Sequence, residues 1–330
     1  MRWSIEKANE WYKEKGWAMG FNYVPSSAVN STEMWQKASY DAETIKRELA
    51  AAADAGFNSC RVFLQFLVWE AERDTFIETF NKFLVSAKEQ DISVMPILFD
   101  DCAFSNKEPV LGKQQEPVPG VHNSGWTASP GVLVSENPAY AEALESYVKT
   151  MVKTFSNNNS ILVWDMYNEP GNSTRGTKSL PLLRNAFKWA RECNPTQPLT
   201  AGVWESKEWD LECIDLSDII SYHDYLKIEE SKEHIKNLSK HGRPLFCTEW
   251  LHRLNDNNIT THLPLYKENN VSIYNWGLVQ GRTQTHLSWK KEENNINGQP
   301  KIWQHDLFHN DLRPYNKDEM TLIKKMAARK

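Results

Sequence analysis

The chain is poor in the residues that would signal metal, redox or nucleotide chemistry. Its five cysteines (Cys60, Cys102, Cys193, Cys213, Cys247) are odd in number and form no Cys-x-x-Cys pair. Its nine histidines include neither His-Glu-x-x-His nor a spacing paired with cysteine. A disulfide framework and a zinc site are therefore unsupported, and reduced core thiols are expected. The 14 glycines nowhere cluster into a phosphate-cradling loop. No stretch approaches the roughly 20 apolar residues of a membrane span. The start, Met1-Arg-Trp-Ser-Ile-Glu-Lys, has no apolar signal core. As written the chain reads as cytoplasmic, or as secreted or periplasmic if a signal has been removed. Asn172-Ser-Thr would be a glycosylation sequon, which speaks mildly against a eukaryotic secretory origin. Nor is there a basic excess: the net charge is −5, with both signs interspersed. Nucleic acid and anionic membranes are thus excluded as expected partners. No feature speaks to oligomeric state.

What is abundant is aromatic surface. With 40% hydrophobic and 25% charged residues the composition of the 330-residue chain is that of an ordinary globular protein, yet it holds 14 Trp, 11 Tyr and 13 Phe. Indole rings serve large cores, and they also offer flat platforms to the C–H faces of sugars with an N–H alongside.

Short apolar runs alternate with amphipathic stretches from end to end, the pattern of βα units around a parallel sheet. Eight strands are predicted, over residues 17–24, 58–66, 92–99, 161–168, 199–204, 218–223, 244–248 and 271–277. Helix punctuation lies between them. Asp41 caps a helix that buries Ile45, Leu49 and Ala52 and stops at Gly56; Asp74 opens one burying Phe76, Phe80, Phe83, Leu84 and Ala87. A third helix follows Asn137-Pro138, and later ones fall near 179–193, 206–213, 230–241, 260–268 and 317–329. Eight such alternations close most economically as a single-domain (β/α)8 barrel spanning 1–330. Two long connections, 100–136 after the third strand and 278–316 after the eighth, would reach its catalytic rim and carry Trp126, Trp289 and Trp303.

Two strands end in a carboxylate: Ile161-Leu-Val-Trp-Asp-Met-Tyr-Asn-Glu-Pro170 at Glu169, and Pro244-Leu-Phe-Cys-Thr-Glu-Trp250 at Glu249. A charge beside a packed core is costly unless bonded or paired, so a purely structural role is the poorer account. Capping of helix N-termini is the plain alternative. Eighty residues separate the two, about three βα units, which places them on the fourth and seventh strands, across the barrel mouth. Facing carboxylates at about 5 Å are the equipment of retaining glycoside hydrolysis.

Asn168-Glu169-Pro170 and Thr248-Glu249-Trp250 resemble the acid/base and nucleophile motifs of clan A glycoside hydrolases, most closely family 5, a group of retaining β-glycosidases. Arg61, in Asn58-Ser-Cys-Arg-Val-Phe, falls where that family keeps an arginine supporting the nucleophile; His223 and Tyr225 match its strand-six pair, and Trp276 its strand-eight tryptophan under the sugar. The resemblance implies a (β/α)8 barrel, a carbohydrate substrate and no cofactor. It departs on strand three: Val94-Met-Pro-Ile-Leu-Phe-Asp-Asp101 stands where such enzymes often show a histidine, so Asp100 or Asp101 becomes the candidate contact for a sugar hydroxyl. Trp126 and Glu205 are further candidate contacts, and Glu70 is a competing strand-end carboxylate. The resulting expectation is hydrolysis of a β-linked glycoside with retention, Glu249 attacking and Glu169 acting as acid and base, with an exo preference because rim insertions wall off one side of a cleft. An endo-acting β-glycanase, a metal-dependent barrel enzyme and an inactive carbohydrate-binding barrel are the alternatives.

Overall fold

Each expected apolar run forms parallel strand in the computed structural model, which describes residues 1–104, 107–205, 207–294 and 300–328. The strands are β1 (Met19–Asn22), β2 (Ser59–Phe63), β3 (Ser93–Asp100), β4 (Trp164–Asn168), β5 (Leu199–Thr200), β6 (Gly202–Val203), β7 (Ile220–Asp224), β8 (Leu245–Trp250) and β9 (Ser272–Asn275). Their hydrogen-bonded order, β5-β4-β3-β2-β1-β9-β8-β7-β6, carries the sheet around to β6, the chain continuation of β5. The result is a nearly closed (β/α)8 barrel with helices between the strands. Nine strands appear instead of eight because the expected 199–204 strand breaks at Ala201, whose N–H bonds Ser217 Oγ at 3.1 Å. On its two sides Thr200 pairs with β4 and Gly202 with β7.

The anticipated helices form where their punctuation put them. Asp41 accepts from Thr44 N at the start of Ala42–Asp54. The helix that buries Phe76, Phe80, Phe83, Leu84 and Ala87 begins at Arg73, one residue before the expected Asp74. Leu144, Tyr147, Val148 and Met151 face the core from Ala141–Thr154. Positions 105–106 and 295–299 of the rim connections, and 206 and 329 of the expected helices, lie outside the described residues. Besides the short helices Ser31–Trp35, Phe66–Ala71 and Val132–Ser135, a longer helix was not anticipated: Ile5–Lys15, capped by Ser4, covers the N-terminal end of the barrel. There Tyr12 packs edge-on against Phe246 and its hydroxyl donates to Asn270 O at 2.8 Å. Among the described residues no helix is long and apolar enough to cross a membrane. The five cysteines are free, three of them buried.

Candidate active site

The C-terminal strand ends converge on a cleft of about 550 Å³. Beneath it lies Arg61, fully buried on β2. Nε donates to Asp165 Oδ2 at 2.9 Å, Nη2 to Asp165 Oδ2 at 2.8 Å and to Asn168 Oδ1 at 2.7 Å, and Nη1 to Asn22 Oδ1 at 2.8 Å and to Glu249 Oε1 at 2.9 Å. Those five bonds use all five guanidinium protons, as a charge held in a dry interior requires.

Backbone irregularity brings Glu249 into reach. Between β7 and β8, Tyr222 pairs with Cys247, and then His223 pairs with Glu249, so Thr248 is an inserted residue. Bulges of this kind re-aim side chains beside active sites. The second Glu249 oxygen, Oε2, accepts from Tyr225 Oη at 2.9 Å. Burial and the Glu249 charge push the Tyr225 phenol well up, so it stays a donor. Its ring packs edge-on against Trp289, whose centroid is 5.0 Å away.

Glu169 follows β4 with φ of +44°, a left-handed backbone that a glutamate adopts only when its surroundings impose it. The surroundings here include Asp101, which accepts from Gly171 N at 2.9 Å, Tyr167 Oη at 2.8 Å and Ser179 Oγ, with Arg175 Nε 3.3 Å away. Glu169 Oε1 lies 2.6 Å from His223 Nδ1, and Oε2 accepts from Asn172 Nδ2.

The two glutamates differ electrostatically. Burial raises Glu169 to about 7; the Asn172 hydrogen bond and the Arg61 charge oppose the rise, while Asp210 and Glu205 add to it. Burial also raises Glu249, against His223, Arg61 and the Tyr225 hydroxyl. Only Glu249 receives a direct hydrogen bond from a permanent cation. His223 is lowered to about 4 by burial and is neutral at pH 7. The Glu169–His223 contact therefore holds a single proton.

A carboxylate oxygen from Glu169, one from Glu249 and a His223 ring nitrogen all lie within 4.8 Å of one another. By ligand type this trio could also hold a metal ion. Its four carboxylate oxygens are already engaged by Arg61, Tyr225, Asn172 and His223, an arrangement suited to proton transfer and nucleophilic attack.

Of the residues singled out from sequence, Glu169, Glu249, Asn168, His223, Tyr225, Trp276, Trp126 and Glu205 line the cleft, and Arg61 lies beneath it. Asp100 and Asp101 do not. Only 2% and 3% exposed, they are occupied by protein donors, so the expected sugar contact from strand three is absent. Glu70 is exposed on the helix Phe66–Ala71, outside the cleft. Sequence reasoning missed Asn172, Phe104, Trp204, Leu226 and Cys102 in the lining, and Asn22 and Asp165 around Arg61. A signal existed for Asp165, an acid in the middle of an apolar strand; the others carry none.

The profile of Cellulase (glycosyl hydrolase family 5) matches residues 12–281. The chain belongs to glycosyl hydrolase family 5. Solved structures support the fold at low identity. An endo-β-1,4-mannanase from Thermotoga petrophila is 13% identical with a TM-score of 0.61, over 96% of this chain and 77% of that one. An exo-β-1,4-mannosidase from Opitutaceae bacterium strain TAV5 is 16% identical with a TM-score of 0.65, over 94% and 59%. A Streptomyces cattleya family 5 protein in complex with Manβ1-4GlcNAc is 11% identical with a TM-score of 0.61, over 94% and 80%. No curated protein matches the chain. This family 5 member is an O-glycosyl hydrolase, and its substrate is a carbohydrate.

Proposed function

We propose that this family 5 enzyme hydrolyses a β-linked glycoside with retention and prefers chain ends or short oligosaccharides. The observation that carries the proposal is the pair of glutamates with oxygens inside 4.8 Å, one clamped by Arg61 and Tyr225 and the other raised to about 7. Such proximity belongs with the separation of about 5–5.5 Å of retaining enzymes, not the about 6.5–9.5 Å of inverting ones, and suits direct attack. Glu249 bonds to the anomeric carbon as the glycosidic C–O bond breaks, and the Glu169 proton passes to the departing oxygen. Water then attacks the glycosyl ester and gives its proton to the Glu169 carboxylate, freeing Glu249. Trp276 supplies flat surface to the sugar, with the buried Trp126 packed edge-on behind it, and Asn168 a donor to its 2-hydroxyl.

The exo preference is supported by Phe104 from one rim connection and Trp289 from the other, both exposed and lining the cleft. Because two of the similar structures are named a mannanase and a mannosidase, aryl β-mannoside is the first substrate to test, with the glucoside, xyloside and galactoside beside it.

Azide rescue tests the roles. In Glu249→Ala the anion takes the nucleophile's place and yields the inverted glycosyl azide; in Glu169→Ala it intercepts the glycosyl-enzyme and yields the retained one. The same anomer from both variants would overturn the assignment. Chromatography of early products tests the end preference: a single small unit from the outset is expected, and a spread of long fragments would refute it.

A further inference from the structure

Asp100 is the last residue of β3 and pairs across the sheet with Asn168 at the end of β4. Its Oδ1 accepts from Asn168 Nδ2 at 2.8 Å and from Cys102 N at 2.9 Å, and its Oδ2 accepts from Trp126 Nε1 at 2.8 Å. Burial pushes its carboxyl well up, and these three donors act against that rise. All three partners donate, which the carboxylate satisfies on both oxygens. A carboxylic acid proton would have no acceptor among them.

The same contacts determine which way round Asn168 sits. Its Oδ1 must face Arg61 Nη2, which can only donate, and its Nδ2 must face Asp100 Oδ1, which accepts. With the amide gripped at both ends, one Nδ2 proton is used and the other is left for the cleft. Asn168 then offers a sugar that remaining N–H, leaving the hydroxyl's own proton free for a carboxylate oxygen.

We infer that Asp100 is a positioning residue: it aims the remaining Asn168 N–H at the 2-hydroxyl of the sugar held between Glu169 and Glu249, and ties that setting to Trp126. This rests on the glycosidase reading above and goes beyond it. This acid at the end of strand three touches no substrate. It decides how much of the 2-hydroxyl interaction is realised as charge develops on the ring, the stage at which that hydrogen bond strengthens.

The experiment compares substrates with and without the 2-hydroxyl. Glucose and mannose give the same 2-deoxy sugar, so 4-nitrophenyl 2-deoxy-β-D-arabino-hexopyranoside is the reference for whichever parent the enzyme cleaves faster. The readout is the ratio of kcat/KM, parent to deoxy, in the wild type, Asp100→Ala and the near-isosteric Asp100→Asn, whose NH2 must face a donor on one side or the other. The ratio is expected to fall by about tenfold or more in Asp100→Ala, and by less in Asp100→Asn, with most of the loss on the parent substrate. Trp126→Phe, which removes the indole N–H together with one ring of the side chain, should lower both substrates alike. Equal losses on parent and deoxy substrates in both Asp100 variants would mean a merely structural carboxylate and overturn the inference. Failure of the wild type on every aryl β-glycoside would instead overturn the functional reading and take the inference with it.

Discussion

Replacing Asn172 with alanine is expected to move the alkaline limb of kcat/KM to higher pH. Burial is what raises Glu169 to about 7, and the Asn172 hydrogen bond is the largest influence holding it down. Losing that bond removes a donor from the charged form alone. A hydrogen bond to a charged group contributes about 1.5–3 kcal/mol, and one pKa unit corresponds to about 1.4 kcal/mol, so the full effect would be roughly one to two units. Asn172 is half-buried, and truncation opens room for water beside Oε2, which recovers part of the interaction. The expected shift is therefore about one unit upward. The sign follows from the role: the reactive form of Glu169 is the acid, and a higher pKa keeps its proton to a higher pH. The assay is the pH profile of kcat/KM on an aryl β-glycoside with an unactivated leaving group. Glu169→Gln on an activated substrate serves as the control that should show no such limb. A limb that stays in place or moves down would refute both the assignment of Glu169 as the acid and the claim that Asn172 stabilises its carboxylate.

Arg61→Lys keeps the charge but offers three protons where five are used, so at least two charge-assisted bonds to Asp165, Asn22, Asn168 or Glu249 are lost. Urea unfolding should show a loss of about 3 kcal/mol or more, and a change under about 1 kcal/mol would mean that water or rearrangement replaces the fork. Asp306 is fully buried, and burial raises its carboxyl to about 7 against the Thr285 hydroxyl bond. Between its ordinary value of 3.8 and about 7 the folded chain binds the extra proton, so the stability this group supplies is complete at acid pH and lost as pH rises through that window. Thermal melts should therefore show Asp306→Asn gaining on the wild type from pH 5 to pH 8, and a constant difference would refute the buried neutral acid.

The parts of the molecule that were legible in the sequence are those governed by neighbours along the chain. Asp41, Gly56 and Asn137-Pro138 mark helix ends through hydrogen bonds and torsions a few residues away. Glu169 and Glu249 stood out because a carboxylate interrupts an apolar run. The helix Ile5–Lys15 was hidden because it buries only Ala8 and Tyr12 and leaves Ile5 exposed, too little for a periodic signal. The break at Ala201 was hidden because Leu199-Thr-Ala-Gly-Val reads as one strand, and its cause is Ser217 on the next loop. For Asp100 and Asp101 the sequence could not separate a carboxylate aimed at sugar from one aimed at protein. The partners that decide it are 26 to 78 residues away in Trp126, Asn168 and Ser179.

The break beside Gly202 bears on any attempt to transplant this chemistry. A Cβ on Gly202 would stand 3.1 Å from His223 Nε2, crowding the ring that shares a proton with Glu169. Copying the side chains of the cleft onto a regular eight-stranded scaffold would leave His223 without its space, Glu249 one pleat out of register and Glu169 in the wrong torsional basin. The unit that must travel is the irregular backbone: the gap at Ala201 with its glycine, the inserted Thr248 and the left-handed turn after Asn168.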